Sequence, residues 1–122
     1  MADPHPHRIT ITPTDQHVVV RIDGVTVAES DRVVVLQEGK LPPRYYLPLE
    51  DVRRDLFEST DHASACPFKG QASYWSVRVG DTVHDNIVWS YREPIPEAED
   101  IKGLLAFYNE RVELEVGEPA HS

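Results

Sequence analysis

Hydrophobic and polar side chains alternate one by one along much of this chain, the period of a strand with one covered face. Ile9, Thr10, Ile11 and Thr12 begin the pattern after Arg8, and Pro13 is expected to end it. His17 to Ile22 and Val25 to Glu29 flank Asp23-Gly24, a pair that accepts positive φ at both turn positions and so predicts a tight hairpin. Arg32 to Glu38 follows, and its run Val33-Val34-Val35-Leu36 predicts a strand covered on both faces. Beyond the breakers Gly39, Pro42 and Pro43, Tyr45 and Tyr46 must point to opposite faces if Arg44 to Leu47 is extended.

Farther on, the period changes. Pro48, Glu50 and Asp51 suit a helix start, and Leu49, Val52, Leu56 and Phe57 fall near one stripe, predicting a helix over Pro48 to Phe57. Ser59 to Gly70 has no period and reads as a long loop. Gln71 to Val79 and Thr82 to Tyr91 then predict a second hairpin about Gly80-Asp81. Ile101, Leu104, Leu105 and Tyr108 suggest a second helix over Glu97 to Asn109, weakened by Gly103, before a last edge strand from Arg111 to Val116. The pattern therefore predicts a mainly β, α+β domain of about seven to nine antiparallel strands with two short helices. Residues 8–116 form a single domain in this reading, with flexible ends at 1–7 and 117–122.

Composition narrows the function classes. The chain has 122 residues and a formal net charge of −9, so its field repels phosphate backbones and nucleic acid is not an expected partner. No apolar run approaches the roughly 20 residues of a membrane helix, and the N-terminus lacks the apolar core of a signal peptide, so a cytoplasmic location and no membrane partner are expected. The single cysteine, Cys66, excludes an internal disulfide and a cysteine-rich zinc site. His62 and Cys66 supply only two local ligands, and no metal or other cofactor is expected.

The chemistry-bearing residues crowd the Ser59 to Gly70 segment. Cys66 reads either as a small buried apolar residue or as a thiolate nucleophile, activated by Lys69 with His62 as its proton partner. Lys69 before Gly70 is a candidate anion contact, or a surface lysine paired with Asp61 or Glu58. Thr60 joins this segment, while Tyr46 and Tyr91, beside turn residues in an aromatic-rich middle region, are candidates for orienting hydroxyls. Trp75, in strict alternation, reads as core.

Tyr45-Tyr46-Leu47-Pro48 with Asp51-Val52, then Thr60-Asp61-His62, Cys66-Pro67-Phe68-Lys69-Gly70, Tyr74-Trp75-Ser76-Val77 and Trp89-Ser90-Tyr91 with Pro94 and Pro96, resemble bacterial domain-of-unknown-function family 427. The resemblance spans roughly Arg8 to Val116. It implies a small domain with a strongly bent antiparallel sheet, the β-tent architecture shared with methionine sulfoxide reductase type B and several zinc proteins. Those zinc members carry paired Cys-x-x-Cys motifs that this chain lacks. The family is also described as nucleotidyltransferase-domain-like, yet the chain has neither a Gly-Ser with paired aspartates nor a glycine-rich phosphate loop. Two functions from different classes are expected. One is a cleft for a small organic or anionic metabolite, with Cys66 and His62 as catalytic candidates and Lys69, Thr60, Tyr46 and Tyr91 as ligand contacts. The other is a binding or regulatory module that pairs with another chain, a homodimer included, through open edges at His17 to Ile22 or Val112 to Val116.

Overall fold

The computed structural model describes residues 9–66 and 70–119, and the side chains of all of these except residues 66, 97, 118 and 119. They form ten strands: β1 (Ile9–Thr14), β2 (Gln16–Ile22), β3 (Val25–Ser30), β4 (Val33–Glu38), β5 (Arg44–Leu47), β6 (Phe57–Cys66), β7 (Gly70–Val79), β8 (Thr82–Pro94), β9 (Leu105–Phe107) and β10 (Glu113–Pro119). A seven-stranded sheet has the order β1-β4-β5-β9-β8-β7-β6, and a three-stranded sheet the order β10-β2-β3. Every strand pairing among the described residues is antiparallel. None of their helices is long and apolar enough to cross a membrane.

Local chemistry explains both hairpins. Asp23 and Gly24 take φ of 52° and 80°, the mirror-image turn that matches strand twist, and Gly80 takes 59° at the β7–β8 turn. Pro13 does not end β1. It pairs opposite Val34, because β1 is the outer strand of its sheet and a missing N–H is tolerated there.

Neither predicted α-helix forms. Over Pro48 to Phe57 the chain makes two 3₁₀ turns, Leu49–Asp51 and Arg54–Leu56, because tertiary pairing takes the backbone between them. Val52 bridges Ala28, and the Arg53 N–H donates to the Val27 carbonyl at 2.8 Å, covering the outer side of β3. A ten-residue helix is marginal alone, so these bonds decide the outcome. The second predicted helix is divided by Gly103, whose φ is 74° and whose N–H donates to the Tyr91 carbonyl at 3.0 Å. Pro96–Ile101 keeps a 3₁₀ turn, while Leu105–Phe107 inserts as β9 between β5 and β8. A short apolar run reads alike as buried helix or buried strand, and here the vacancy in the sheet selects strand. The described part of the Ser59 to Gly70 segment is no loop either. Ser59 to Cys66 belong to β6, an outer strand exposed from Asp61 to Ala65, which shows no period because neither face is buried there. The expected open edge at His17 to Ile22 is likewise corrected: β2 lies at the centre of its sheet, and the edges are β3 and β10.

The seven-stranded sheet carries a core on each face. Val18, Val20, Ile22 and Val27 of the small sheet pack against Leu47, Val77, Val88 and Phe107 of the large one. On the other face Leu36, Tyr46, Trp89 and Tyr91 pack with Ala98 and Ile101 of the 3₁₀ turn. Tyr45 belongs to the first core and Tyr46 to the second, as opposite pointing requires. Val33 and Leu36 divide in the same way, so β4 is covered on both faces.

Candidate functional site

An aromatic row crosses the large sheet on the face away from the small one. The registers Tyr46↔Ala106, Trp89↔Ala106 and Tyr74↔Trp89 place these side chains across β5, β9, β8 and β7. Ala106 is too small to separate its neighbours, so Tyr46 and Trp89 meet above it edge to face, with ring centroids 6.3 Å apart. The Trp89 indole N–H donates to the Tyr46 hydroxyl at 3.0 Å, which satisfies a buried donor. Tyr46, fully buried, thus fixes the plane of Trp89 from below.

Above this row opens a pocket of about 270 Å³, walled by Leu36, Arg44, Tyr74, Trp89, Tyr91 and Tyr108, with Glu38, Leu41 and Pro42 at the β4–β5 turn. Continuing the β5–β9 register sets Arg44 opposite Tyr108. The amide of Asn109 locks that end by donating to the Pro43 carbonyl at 2.8 Å. The Arg44 guanidinium lies 5.4 Å from the Trp89 ring centre and 5.7 Å from that of Tyr108, within cation–π range of both. It also donates to Glu110 at 3.2 Å, and with its own backbone hydrogen bond as the larger cause Glu110 is held below the ordinary carboxylate range. Burial, followed by a hydrogen bond with Tyr74, pushes the Tyr108 phenol up to about 12, so Tyr108 stays a neutral donor at physiological pH. The Tyr74 hydroxyl in turn lies 2.8 Å from Ser64 Oγ. Tyr74 thus joins the pocket wall to Ser64 of β6.

Of the residues singled out in the sequence, Tyr91, Tyr46 and His62 lie at or beside this pocket, and Thr60 does not line it. Tyr91 is one of its walls, and Tyr46 supports Trp89 without lining it. His62 is exposed and packs against Tyr74 with centroids 4.5 Å apart, on the outer side of the Tyr74 wall. Thr60 serves the backbone. Its hydroxyl donates to Asn86 Oδ1 at 2.7 Å, joining an irregular stretch of β6 to the positive-φ Asn86 of β8. The Asn86 N–H donates to Ser76 Oγ at 3.1 Å, completing that tie. Cys66 ends β6 with its backbone paired to Gly70, but its side chain and all of Lys69 lie outside the described residues. Gly70 has φ of 121°, and a Cβ there would meet Pro94 Cα at 3.0 Å. Among the described residues no group of three or more His, Cys, Asp or Glu converges in a way that could hold a metal ion.

Sequence reasoning missed Arg44 and Tyr108. Arg44 belongs to no local motif, and the spacing of Tyr108 fits a helix stripe. The one signal was the breaker-rich approach to Arg44-Tyr45-Tyr46, which made that stretch extended.

No curated protein matches this sequence. The family model described as Domain of unknown function (DUF427) matches residues 10–118, nearly the whole described domain, and the chain therefore belongs to that family.

Proposed function

We propose that the chain is a binding domain for a small, polar, ring-containing organic compound, held in the Trp89 pocket. The single supporting observation is the convergence of Arg44 with the Trp89, Tyr91 and Tyr108 walls. A volume of about 270 Å³ suits one or two rings with short substituents, since a cavity of about 150 Å³ accommodates benzene. The rings of Trp89 and Tyr108 offer flat contact, while Arg44 presents donors to a carbonyl or carboxylate oxygen. Glu110 offsets part of the Arg44 charge, so the pocket favours a polar or singly anionic ring over a polyanion such as a nucleoside triphosphate.

His62 reaches the pocket only through Tyr74, so binding is better supported than turnover. A catalytic role for Cys66 and His62, with Lys69 as an anion contact, remains part of the proposal as a separate step. Iodoacetamide alkylation of native Cys66, slowed by Lys69→Met, is the result that would support it; alkylation only after denaturation would remove it.

The binding test is native mass spectrometry with nicotinate, nicotinamide, 4-hydroxybenzoate and shikimate. Retention of at least one compound by the wild type, with loss in Arg44→Met, is expected. Equal retention by both proteins, or none by either, would contradict the reading.

The second reading, pairing with another chain or a second copy, draws on β6. It is a ten-residue outer strand whose Asp61 to Ala65 stretch is exposed. Concentration-dependent dimerisation by light scattering, abolished by Ala65→Pro, would support it.

A further inference from the structure

Tyr74 and its neighbour Trp75 point to opposite faces of β7, and each face carries its own pocket. The one beside Trp75 has a volume of about 250 Å³ and is lined by Leu49, Arg54, Phe57, Ser59, Trp75 and Leu105. The register explains the grouping: Ser59 pairs with Trp75 and Phe57 with Val77, so these side chains share the face turned toward the small sheet. Phe57 is held edge to face against Phe107, centroids 6.1 Å apart, which makes that wall rigid.

The charges here differ from those of the first pocket. Among the described residues Arg54 is the only charged one in the lining and enters no ion pair, whereas the adjacent Arg53 is taken by Asp55 at 2.9 Å. A second guanidinium, that of Arg92, lies 5.6 Å from the centre of the Trp75 ring. In a chain with 21 acidic and 12 basic residues, a pocket with a cation and no carboxylate among its described lining residues is electrostatically marked. The apolar side chains point the same way. Leu41 and Leu49, 55% and 41% exposed, are the most exposed large hydrophobic residues described, and each stands at one pocket.

We infer that the Trp75 pocket is a second ligand site, for an organic monocarboxylate with an apolar body. The body would cover Phe57, Trp75 and Leu49, and the carboxylate would accept hydrogen bonds from Arg54, a pairing suited to the guanidinium fork. The volume holds a single short chain or ring, too small for a lipid with two acyl chains. This site stands independently of the Trp89 pocket.

The chain's two tryptophans give each pocket its own probe. In ¹H–¹⁵N spectra of the full chain, with the indole peaks assigned by Trp75→Phe, sodium octanoate should move the Trp75 peak saturably and leave the Trp89 peak in place. Octan-1-ol, the uncharged counterpart, should bind more weakly. Arg54→Gln, a change at an exposed position, should weaken octanoate by about tenfold, with partial recovery in Arg54→Lys. Four results would overturn the inference: an unmoved Trp75 peak, equal movement of both indole peaks, equal binding of the alcohol, or unchanged affinity in Arg54→Gln. The first, third and fourth do not depend on whether the Trp89 pocket is occupied.

Discussion

The Tyr74 and Trp75 faces of one sheet are built from the same materials and tuned to different solutes. On the Tyr74 face, the Tyr46 hydroxyl accepts from Trp89 and the Tyr74 hydroxyl pairs with Ser64, Arg44 is shared between two rings and Glu110, and Glu38 stands at the mouth. On the Trp75 face the walls are mainly apolar, with Ser59 among them, and the one charge in the described lining has no carboxylate partner among the described residues. Strand alternation alone produces the contrast. A slip of one residue in the β7 register would exchange the two sets of side chains, so hydrophobic packing that fixes register also fixes which chemistry faces which way.

The largest effect should come from the core between the sheets. Phe107→Ala removes a buried ring that braces Phe57, and a loss of about 3–5 kcal/mol in urea unfolding is expected. A loss comparable to a surface change would mean that the small sheet does not depend on this contact, and the rigid wall of the Trp75 pocket would go with it. On the opposite face Tyr46→Phe leaves the Trp89 indole N–H without its acceptor at almost constant volume, and should cost about 1–3 kcal/mol. The same variant should weaken binding in the Trp89 pocket while leaving octanoate at Trp75 unaffected. If both sites respond together, the two faces are not separate units.

A smaller effect, away from both pockets, concerns the β2–β3 hairpin. His17 bonds Asp31 through Nδ1 and Glu29 through Nε2, the latter at 2.6 Å, and these bonds, Asp31 first, raise its pKa above the ordinary 6.5. The folded value exceeds the unfolded one, so the contribution is complete below about pH 6.5 and disappears as pH rises through the folded value. Melting of the wild type and His17→Gln should therefore differ most near pH 6 and converge at alkaline pH. A constant difference across that range would assign His17 a role independent of its charge.

What could be read in the sequence was what neighbours along the chain decide. Asp23-Gly24 and Gly80 set two hairpins by backbone chemistry alone, and the alternation of Trp75, Val77 and Val79 marked the face of β7 that packs toward the small sheet. β6 was hidden because an outer strand with both faces exposed has no period, and β9 because an apolar run has two solutions until its place in the sheet is known. The pocket was half legible for the same reason. Tyr91 and Tyr46 stood out as aromatic residues beside turns, but Arg44 and Tyr108 meet only through the β5–β9 pairing, a contact between distant parts of the chain. Thr60 drew attention as chemistry and proved to be a backbone tie.

The central claim is that the Trp89 pocket takes a polar ring compound. Its most direct test is the Trp89 indole peak, recorded while the chain is titrated with nicotinate, nicotinamide, 4-hydroxybenzoate and shikimate. At least one should move that peak saturably at about millimolar concentration or below, with Trp75 unmoved and the response lost in Arg44→Met. A Trp89 peak that stays in place with all four, or moves equally in Arg44→Met, would contradict the account.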